Sequence, residues 1–427
     1  MPRALIITVG GSDAPVVEAV RKHKPDYIYF VCSGGEPNIA SSPTIDGEGK
    51  VVLVRKEIRC PKCKNIIVSE ERRENILKQS GYRRDYKKIE IYDPDNFNEV
   101  YQKISDTIDK AKQNGYEIIA DFTAGTKTMS SVLAMLSILD FDIKPSLTIG
   151  RRRDIIKTEG LSISQIINVN PARVKFFLER VSDLISRYLY YPASLFLERL
   201  LEIGLEDTLR KKINKLWRLC KAFYSWEKFE YQEAFEVLKD YSQEYPEHFN
   251  YLLKLLKKDR NTGYEPVFDL ISNAQRQAYN GFYDNAVARL YRALELFAQI
   301  RLKKEYQIDT SHLENSLDKL KDKEKWEAKK NEDGEIKIGL KDAYELLLEL
   351  EDRIGQIYKE KKNKFIENIK LRNNSKLAHG DYPVNEETWR SFFDFCREFI
   401  ETNLKTIKIK FEHIDLPKNF KRNLDTV

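Results

Sequence analysis

The sequence predicts an α/β Rossmann-like domain with a parallel sheet at the amino terminus, followed by an all-α region that ends in a helical bundle. Short apolar runs alternate with helical segments over residues 1–155, which is typical of a parallel sheet with helices on both faces. Beyond about residue 160, apolar residues recur at spacings of three and four, which indicates helices. We therefore divide the 427 residues into domains at 1–155, 156–270 and 271–427.

Composition and charge narrow the class of protein. Charged residues make up 33% of the chain and the formal net charge is +6, a balance that permits nucleic-acid binding without requiring it. No apolar run reaches the ~18 residues that span a membrane, and Met1–Val9 reads as a strand rather than a signal peptide. We therefore expect a soluble, cytoplasmic protein with no membrane partner.

Strands and helices alternate in the amino-terminal domain. The predicted strands are Ala4–Val9, Tyr27–Cys32, Val51–Val54, Glu117–Asp121 and Lys144–Ile149. The predicted helices are Ala14–Lys22, Glu99–Asn114 and Thr128–Leu139. Ligands of such sheets bind beyond the carboxyl ends of the strands, so the residues that follow the strands are the binding candidates.

Three of these strand ends carry groups suited to a phosphate. The candidate residues are Gly10, Gly11 and Ser12 after the first strand, Ser33 and Gly34 after the second, and Thr123, Gly125, Thr126, Lys127 and Thr128 after the strand that ends at Asp121. Glycine amides, hydroxyls and a helix N-terminus can cradle phosphate, and Lys127 adds charge. The spacing is neither a P-loop nor a dinucleotide fingerprint, and a plain turn between strand and helix is the alternative.

The stretch Asp121–Lys127, together with the glycine turn after the first strand, resembles CARF domains. These are Rossmann-like modules that sense cyclic oligoadenylate messengers in type III CRISPR defence. The resemblance covers about residues 1–155 and implies that the residues at the three strand ends bind cyclic oligoadenylate.

Cys60 and Cys63 form a Cys-x2-Cys pair, which is half of a zinc-ribbon site. No second pair exists in the sequence, so the ligand count falls short of a zinc site. Zinc shared between two copies, a redox pair and a knuckle without metal all stay open, and we predict no metal site.

Helical patterns fill the rest of the chain. Those of the second region are Val174–Leu189, Ala193–Leu216 and Glu233–Tyr241, and we interpret this region as a spacer. The third domain has predicted helices at Ile271–Asn280, Tyr283–Lys304, Leu340–Phe365, Ile369–His379 and Glu386–Leu404, and a final strand at Ile407–Phe411.

Arg372 and His379 lie seven positions apart. On a helix, that spacing returns a side chain to within about 20° of its starting direction, so both would project from one face. Gly380 stands where a helix stop is expected, which places His379 in the last turn. An arginine that holds phosphate beside a histidine that moves protons suits phosphodiester chemistry, and an ordinary polar helix end is the alternative.

The segment Leu371–Gly380 resembles the Arg-x4–6-His signature of HEPN ribonucleases, and Gly281–Glu295 resembles the companion helix of a CRISPR-associated branch of that family. The resemblance implies a homodimeric, metal-independent endoribonuclease without a cofactor, activated by cyclic oligoadenylate, that cleaves single-stranded RNA. It also implies that Arg372 binds the scissile phosphate, that His379 handles the proton, that Asn373 hydrogen-bonds within the groove, and that attack by the 2′-OH leaves a 2′,3′-cyclic phosphate.

Two points stay open. Arg289, Arg292 and Glu295 lie at three-residue spacing on the companion helix, where they either support the site or form surface salt links. The alternative function is a dimer that senses a cyclic nucleotide and binds or regulates nucleic acid through its helical part without catalysis. Such a binder would have no need of His379.

Overall fold

The computed structural model of the chain describes residues 1–35, 40–59, 66–153, 156–376 and 380–420, with the backbone alone for 55–59, 66–69, 151–153 and 156–161. The chain forms two compact units. The first comprises Met1–Phe177 and Glu202–Leu205, and the second comprises Leu178–Leu201 and Glu206–Val427.

A six-stranded sheet organises the first unit, in the order β5-β2-β1-β6-β7-β8. The strands of this unit are β1 Arg3–Thr8, β2 Tyr27–Ser33, β3 Val52–Arg59, β4 Ile66–Arg73, β5 Tyr86–Ile91, β6 Glu117–Asp121, β7 Ile143–Arg153 and β8 Ile156–Ile166. Neighbouring strands from β5 to β7 pair in parallel, and β8 pairs antiparallel with β7. The strands β3 and β4 form a separate antiparallel sheet.

Helices cover both faces of the large sheet, as predicted. They are α1 Ala14–His23, α2 Pro43–Asp46, α3 Ile76–Ser80, α4 Phe97–Gln113 and α5 Lys127–Leu139, followed by α6 Asn170–Ser186, which continues into the second unit. Alternate residues of β1 enter two different cores: Ala4 and Ile6 pack with α4 and α5, whereas Leu5 and Ile7 pack with α1. This two-sided burial explains why the central strands read as continuous apolar runs.

The strand β8 contradicts the expectation that a run of helices begins at about residue 160. In this strand a polar side chain faces the interior and an apolar one faces solvent, since Ser164 is buried and Ile163 is 60% exposed. Ser164 is accommodated by a buried polar network in which it and Ser146 both donate hydrogen bonds to Asp121, at 3.3 and 2.9 Å. Nε2 of His23 lies 2.9 and 3.0 Å from the same two hydroxyls, so the buried groups of this network are hydrogen-bonded.

Lowering the pH is expected to reduce the stability that His23 contributes. Burial lowers the pKa of the His23 imidazole, and the Asp121 charge only partly opposes this shift. The unfolded chain therefore binds a proton at His23 near pH 6.5, whereas the folded chain binds it only at lower pH. The free energy of unfolding consequently decreases as the pH falls below about 6.5. Thermal unfolding of the wild type and His23→Gln between pH 8 and pH 5 measures this. The difference in unfolding temperature between the two proteins should become smaller as the pH falls. A difference that stays constant from pH 8 to pH 5 would contradict the lowered pKa of His23.

The second unit is helical, as predicted. Its helices are α7 Tyr190–Glu202, α8 Asp207–Glu227, α9 Tyr231–Leu238, α10 Pro246–Leu255, α11 Glu265–Tyr279, α12 Tyr283–Tyr306, α13 Lys323–Glu327, α14 Leu340–Glu349, α15 Arg353–Asn373 and α16 Glu386–Thr406, with 3₁₀ turns at Lys239–Tyr241 and Leu313–Lys319. One hydrophobic core joins the helices from α11 to α16, and it includes Leu290, Phe297, Tyr344, Phe365 and Phe399. None of the described helices has the length and apolar content needed to cross a membrane.

Besides the helix predicted at Ile369–His379, three predicted elements of this unit are wrong in detail. The helix predicted at Ala193–Leu216 is two helices, α7 and α8. The helix predicted at Leu340–Phe365 breaks between α14 and α15, where Glu351 adopts a positive φ of 58° and Asp352 caps the next helix. The strand predicted at Ile407–Phe411 does not form. The helix α16 ends at Thr406, and the Ile409 N–H donates back to the Leu404 carbonyl at 3.0 Å, which closes the helix end.

A buried ionic cluster joins α8 and α9 to α11. The carboxylate of Asp269, fully buried on α11, accepts hydrogen bonds from Trp226 at 3.0 Å and Tyr231 at 2.8 Å. Arg276, about two turns further along α11, donates to Glu227 at the end of α8. The predicted boundary at residue 270 thus falls inside α11, and the helices of the predicted spacer from residue 206 onward belong to the same compact unit as the third domain. The functional division at 155 and 270 stays a prediction.

Candidate functional site

Two glycine turns meet at the carboxyl ends of β1 and β6. These strands are neighbours in register, with Ile7 opposite Asp121, so both chains leave the sheet side by side. A Cβ on Gly10 would lie 2.8 Å from the backbone nitrogen of Gly125, and Gly125 itself has a φ of +91°. The order of the strands reverses at this point, with β2 on one side of β1 and β6 on the other, and such reversals create the ligand crevice of α/β sheets.

Two of the predicted residues of this crevice, Thr123 and Thr126, use their hydroxyls in hydrogen bonds within the protein. The Thr123 hydroxyl accepts a hydrogen bond from the Thr148 N–H at 2.7 Å. The Thr126 hydroxyl caps α5 by accepting from the Met129 N–H at 3.2 Å, and it donates to the Pro94 carbonyl, also at 3.2 Å. These hydroxyls shape the loop that carries the N-terminus of α5.

Other predicted residues leave polar groups open to a ligand. Gly11, Ser12 and Lys127 are exposed, and Thr128 is half-buried in the first turn of α5. The Lys127 ammonium group has no carboxylate partner among the residues that the structure describes. A cation at the start of a helix, beside exposed glycine amides, can accept a phosphate.

Ser33 and Gly34 lie beside this crevice, at the end of β2. The Ser33 hydroxyl accepts from the Ser41 N–H at 2.8 Å and lies 3.1 Å from the Ser41 hydroxyl. The Gly34 N–H donates to the Ile91 carbonyl at 2.8 Å, and a Cβ on Gly34 would lie 3.0 Å from the Tyr92 ring. Both residues therefore hold neighbouring loops against the sheet, and the Ser33 hydroxyl is occupied.

Cys60 and Cys63 lie outside the described residues, so the open alternatives for this pair stand as the sequence leaves them. Cys32, Cys220 and Cys396 are buried free thiols. Within the described part of the chain, no group of three or more His, Cys, Asp or Glu side chains is arranged to hold a metal ion.

In the helical unit, Arg372 occupies the last turn of α15. Its guanidinium carbon lies 4.5 Å from the centroid of the Tyr291 ring on α12, within the range of a cation–π interaction. Its Nη1 donates to the Asn373 side-chain oxygen at 3.1 Å. Burial raises the pKa of the Tyr291 hydroxyl, with Glu295 adding to the shift and Arg372 opposing it. In the described part of the chain Arg372 pairs with no carboxylate, which leaves its charge available to an anion.

The prediction that one helix runs on to His379 is wrong, because α15 ends at Asn373. Asn and Ser side chains compete for backbone hydrogen bonds and favour turns over helix, and Asn374 and Ser375 follow at once. The shared helix face inferred for Arg372 and His379 is therefore not formed. Residues 377–379, which include His379, lie outside the described residues.

Gly380 is hydrogen-bonded to the residues that directly follow α15. Its N–H donates to the Ser375 carbonyl at 3.1 Å, and the Lys376 N–H donates to the Tyr382 carbonyl at 3.0 Å. A Cβ on Gly380 would lie 1.9 Å from the Asn374 carbonyl oxygen. Glycine is thus required here by a close backbone approach rather than as the stop signal of a helix.

The predicted supporting residues on α12 have separate roles. Arg292 pairs with Glu295 at 2.5 Å on the surface, which is one of the two alternatives left open by the sequence. Arg289 turns inward and donates to the Asn273 side chain. The residue that contacts Arg372 is Tyr291, which sequence reasoning missed although it lies within the companion segment.

Comparison with known proteins identifies a similar family of domains and a similar solved structure. Residues 256–403 match the family model of the Csm6 HEPN domain. The chain is similar in structure to Enterococcus italicus Csm6 bound to cyclic hexa-2'-fluoro-hexa-dAMP, with a TM-score of 0.52 and 14% sequence identity over 95% of each chain. No curated protein sequence matched the chain. Residues 256–403 are therefore similar to the Csm6 HEPN domain, and the chain as a whole has a fold like that of Enterococcus italicus Csm6.

Proposed function

We propose that the protein is an endoribonuclease of type III CRISPR defence that cyclic oligoadenylate activates. The observation that carries this proposal is Arg372, which lies within the matched HEPN domain, on the Tyr291 ring, without a carboxylate partner in the described part of the chain. A guanidinium in this state can form paired, charge-assisted hydrogen bonds with phosphate oxygens.

The chemistry follows from the groups assigned to the site. The RNA 2′-OH attacks the adjacent phosphorus, the bond from phosphorus to the 5′ oxygen breaks, and the products are a 2′,3′-cyclic phosphate and a 5′-OH. His379 removes the 2′ proton or returns a proton to the leaving 5′ oxygen, and Arg372 neutralises the charge that develops on the phosphate. Asn373 holds the guanidinium through their 3.1 Å hydrogen bond. No step of this scheme requires a metal ion.

We also propose that the active form is a homodimer. One copy supplies a single Arg372 and a single His379, so two copies related by a two-fold axis would build a composite groove. Ile149 and Ile163, paired across β7 and β8, are 48% and 60% exposed and present an apolar surface of the kind that association buries. A cyclic messenger on the same axis would contact both copies of the Gly10 and Thr123–Thr128 turns.

Product analysis in EDTA tests the proposal. Purified protein is incubated with single-stranded RNA, or with DNA of the same sequence, with and without cyclic oligoadenylates of different ring sizes. We expect RNA fragments with cyclic phosphate ends and intact DNA, because the reaction needs the ribose hydroxyl. Cleaved DNA, or activity lost in EDTA, would overturn the mechanism. Binding of RNA without cleavage would favour the non-catalytic alternative.

Replacing Lys127 with alanine is expected to weaken messenger binding by about 10- to 100-fold, the usual cost of losing a charged hydrogen bond. Thr126→Ala should also weaken binding because it removes the cap of α5, whereas Thr126→Ser keeps the hydroxyl. The cleavage rate at saturating messenger should change little. Calorimetric titration measures the affinity, with the exposed Lys110 on α4 changed to alanine as a control. Unchanged affinity in Lys127→Ala would remove this loop from the site.

A further inference from the structure

We infer that a groove in the helical unit binds one phosphate and one base of a single-stranded RNA, outside the cleavage site. The ligand class rests on the proposed function, whereas the groove is a feature of the structure. It has a volume of about 640 Å³ and is formed by residues of α11, the start of α12, the first turns of α16, Tyr188 and residues 413–418.

The buried end of the groove presents hydrogen-bond donors without acceptors. The Arg276 side chain is only 2% exposed, and its Nε donates to Glu227. Its Nη2 lies 3.8 Å from Asp269, close enough for attraction between charges but too far for a hydrogen bond. Among the described residues, neither Nη1 nor Nη2 has a hydrogen-bond acceptor. Buried donors left unpaired are costly, and phosphate oxygens entering the groove would satisfy them.

The open side of the groove combines an aromatic ring with a free cation. The Tyr279 ring is 58% exposed. The Lys418 ammonium lies 4.5 Å from the centroid of this ring and 5.2 Å from that of Tyr188, and it has no carboxylate partner in the described part of the chain. Exposed rings on which bases stack, beside cations that follow the backbone, are how proteins hold single-stranded nucleic acid without reading its sequence.

The charges of the lining indicate how much of the binding is electrostatic. Arg390 is neutralised by Glu386 at 2.5 Å, and Asp415 accepts a hydrogen bond from Tyr188 at 2.6 Å. Asp394 also lines the groove, so three carboxylates, those of Glu386, Asp394 and Asp415, stand against the three cations Arg276, Arg390 and Lys418. We therefore expect stacking and a single phosphate contact, with a weak salt dependence, rather than attraction of the strand by a broad basic surface.

The helix α12 connects this groove to the proposed cleavage site. Tyr283 lines the groove, and Tyr291, eight positions along the same helix, carries Arg372. Eight residues of helix span about 12 Å along the axis. Val384, shortly before α16, is also attached to the start of α12, because its N–H donates to Asp284 at 3.0 Å. A strand whose scissile phosphate meets Arg372 can thus place a neighbouring nucleotide in the groove.

The test measures RNA affinity in the full-length protein. The probe is a fluorescent 2′-fluoro oligonucleotide, which has no 2′-OH and therefore cannot be cleaved by the proposed mechanism. Tyr279→Ala should raise the Kd by about 5- to 100-fold, the usual effect of losing one stacked base. Tyr279→Phe should bind as the wild type does. Lys418→Ala should reduce the slope of log K against log salt by about 0.7, as expected for one phosphate of a single strand. Tyr191→Ala, an exposed tyrosine outside the groove, is the matched control.

Wild-type affinity in both Tyr279→Ala and Lys418→Ala would overturn the inference. A second explanation is that the groove receives another copy of the chain. Sedimentation velocity on the same samples measures the oligomeric state of each variant and so distinguishes the two explanations. If the variants lose RNA affinity only to the extent that they dissociate, the groove is an interface between copies and the inference fails. The proposed function is judged separately, by cleavage in Arg372→Ala, since the probe reports binding whether or not the protein cleaves RNA.

Discussion

Replacing Arg372 or His379 with alanine is expected to lower the rate of RNA cleavage by about 10²–10⁴-fold, the usual cost of losing a charge stabiliser or a general acid–base. The Arg372→Ala substitution removes the guanidinium that lies 4.5 Å from the centroid of the Tyr291 ring. Folding and messenger affinity should stay at wild-type levels, because Arg372 lies at the end of α15 and carries no ion pair in the described part of the chain. Single-turnover cleavage at saturating messenger measures the effect.

Two surface residues of the same types serve as controls. Arg292→Ala removes an exposed arginine that pairs with Glu295, and His312→Ala removes an exposed histidine that pairs with Glu314. Both variants should cleave RNA at close to the wild-type rate. Full activity in a purified His379→Ala protein would end the assignment of a HEPN-type active site.

Asp269→Ala is expected to lower the free energy of unfolding by about 3–5 kcal/mol, the range found when one member of a buried ion pair is removed. The substitution leaves the buried Arg276 with Glu227 as its remaining carboxylate and deprives Trp226 and Tyr231 of their acceptor. Burial raises the pKa of Asp269 and the Arg276 charge opposes the shift. Denaturant unfolding of the full chain measures the loss.

Asp240→Ala is the matched control, since Asp240 pairs with Arg218 at 2.6 Å on the surface and its loss should cost less than about 1 kcal/mol. Equal effects of the two substitutions would show that the cluster around Asp269 does not hold α8 and α9 to α11. A fragment made to study the helical unit alone should begin near Leu178, where that unit begins. A shorter fragment that begins at Ser272 would lack both Asp269 and Glu227.

The central sheet was predictable because β1, β2 and β6 are buried on both faces and read as uninterrupted apolar runs. The strand β8 was missed because Ser164 faces inward while Ile163 faces outward. This reversal is stable only because His23, Ser146 and Asp121, from distant parts of the chain, supply hydrogen-bond partners. No local pattern in the sequence reveals such partners.

The candidate sites were predicted in part for similar reasons. The glycine turns that meet at Gly10 and Gly125 follow directly from their places after neighbouring strands. Tyr291 and Arg276 were missed as functional candidates because a single aromatic or charged residue on a helix has no distinctive spacing, and only packing shows what it contacts. The sequence predicts the end of α15 incorrectly, because the seven-residue spacing of Arg372 and His379 favours a continuous helix whereas the turn-forming residues between them end it at Asn373.

The rate of RNA cleavage as a function of cyclic oligoadenylate concentration, measured with the full-length protein in EDTA, tests the central claim most directly. A messenger activates only by binding the active arrangement more tightly than the resting one, and a shift from about 1% to about 99% active takes roughly 10⁴-fold tighter binding. We predict a low basal rate that rises to a plateau with messenger of one ring size. A rate that does not change with messenger at any concentration would contradict the account.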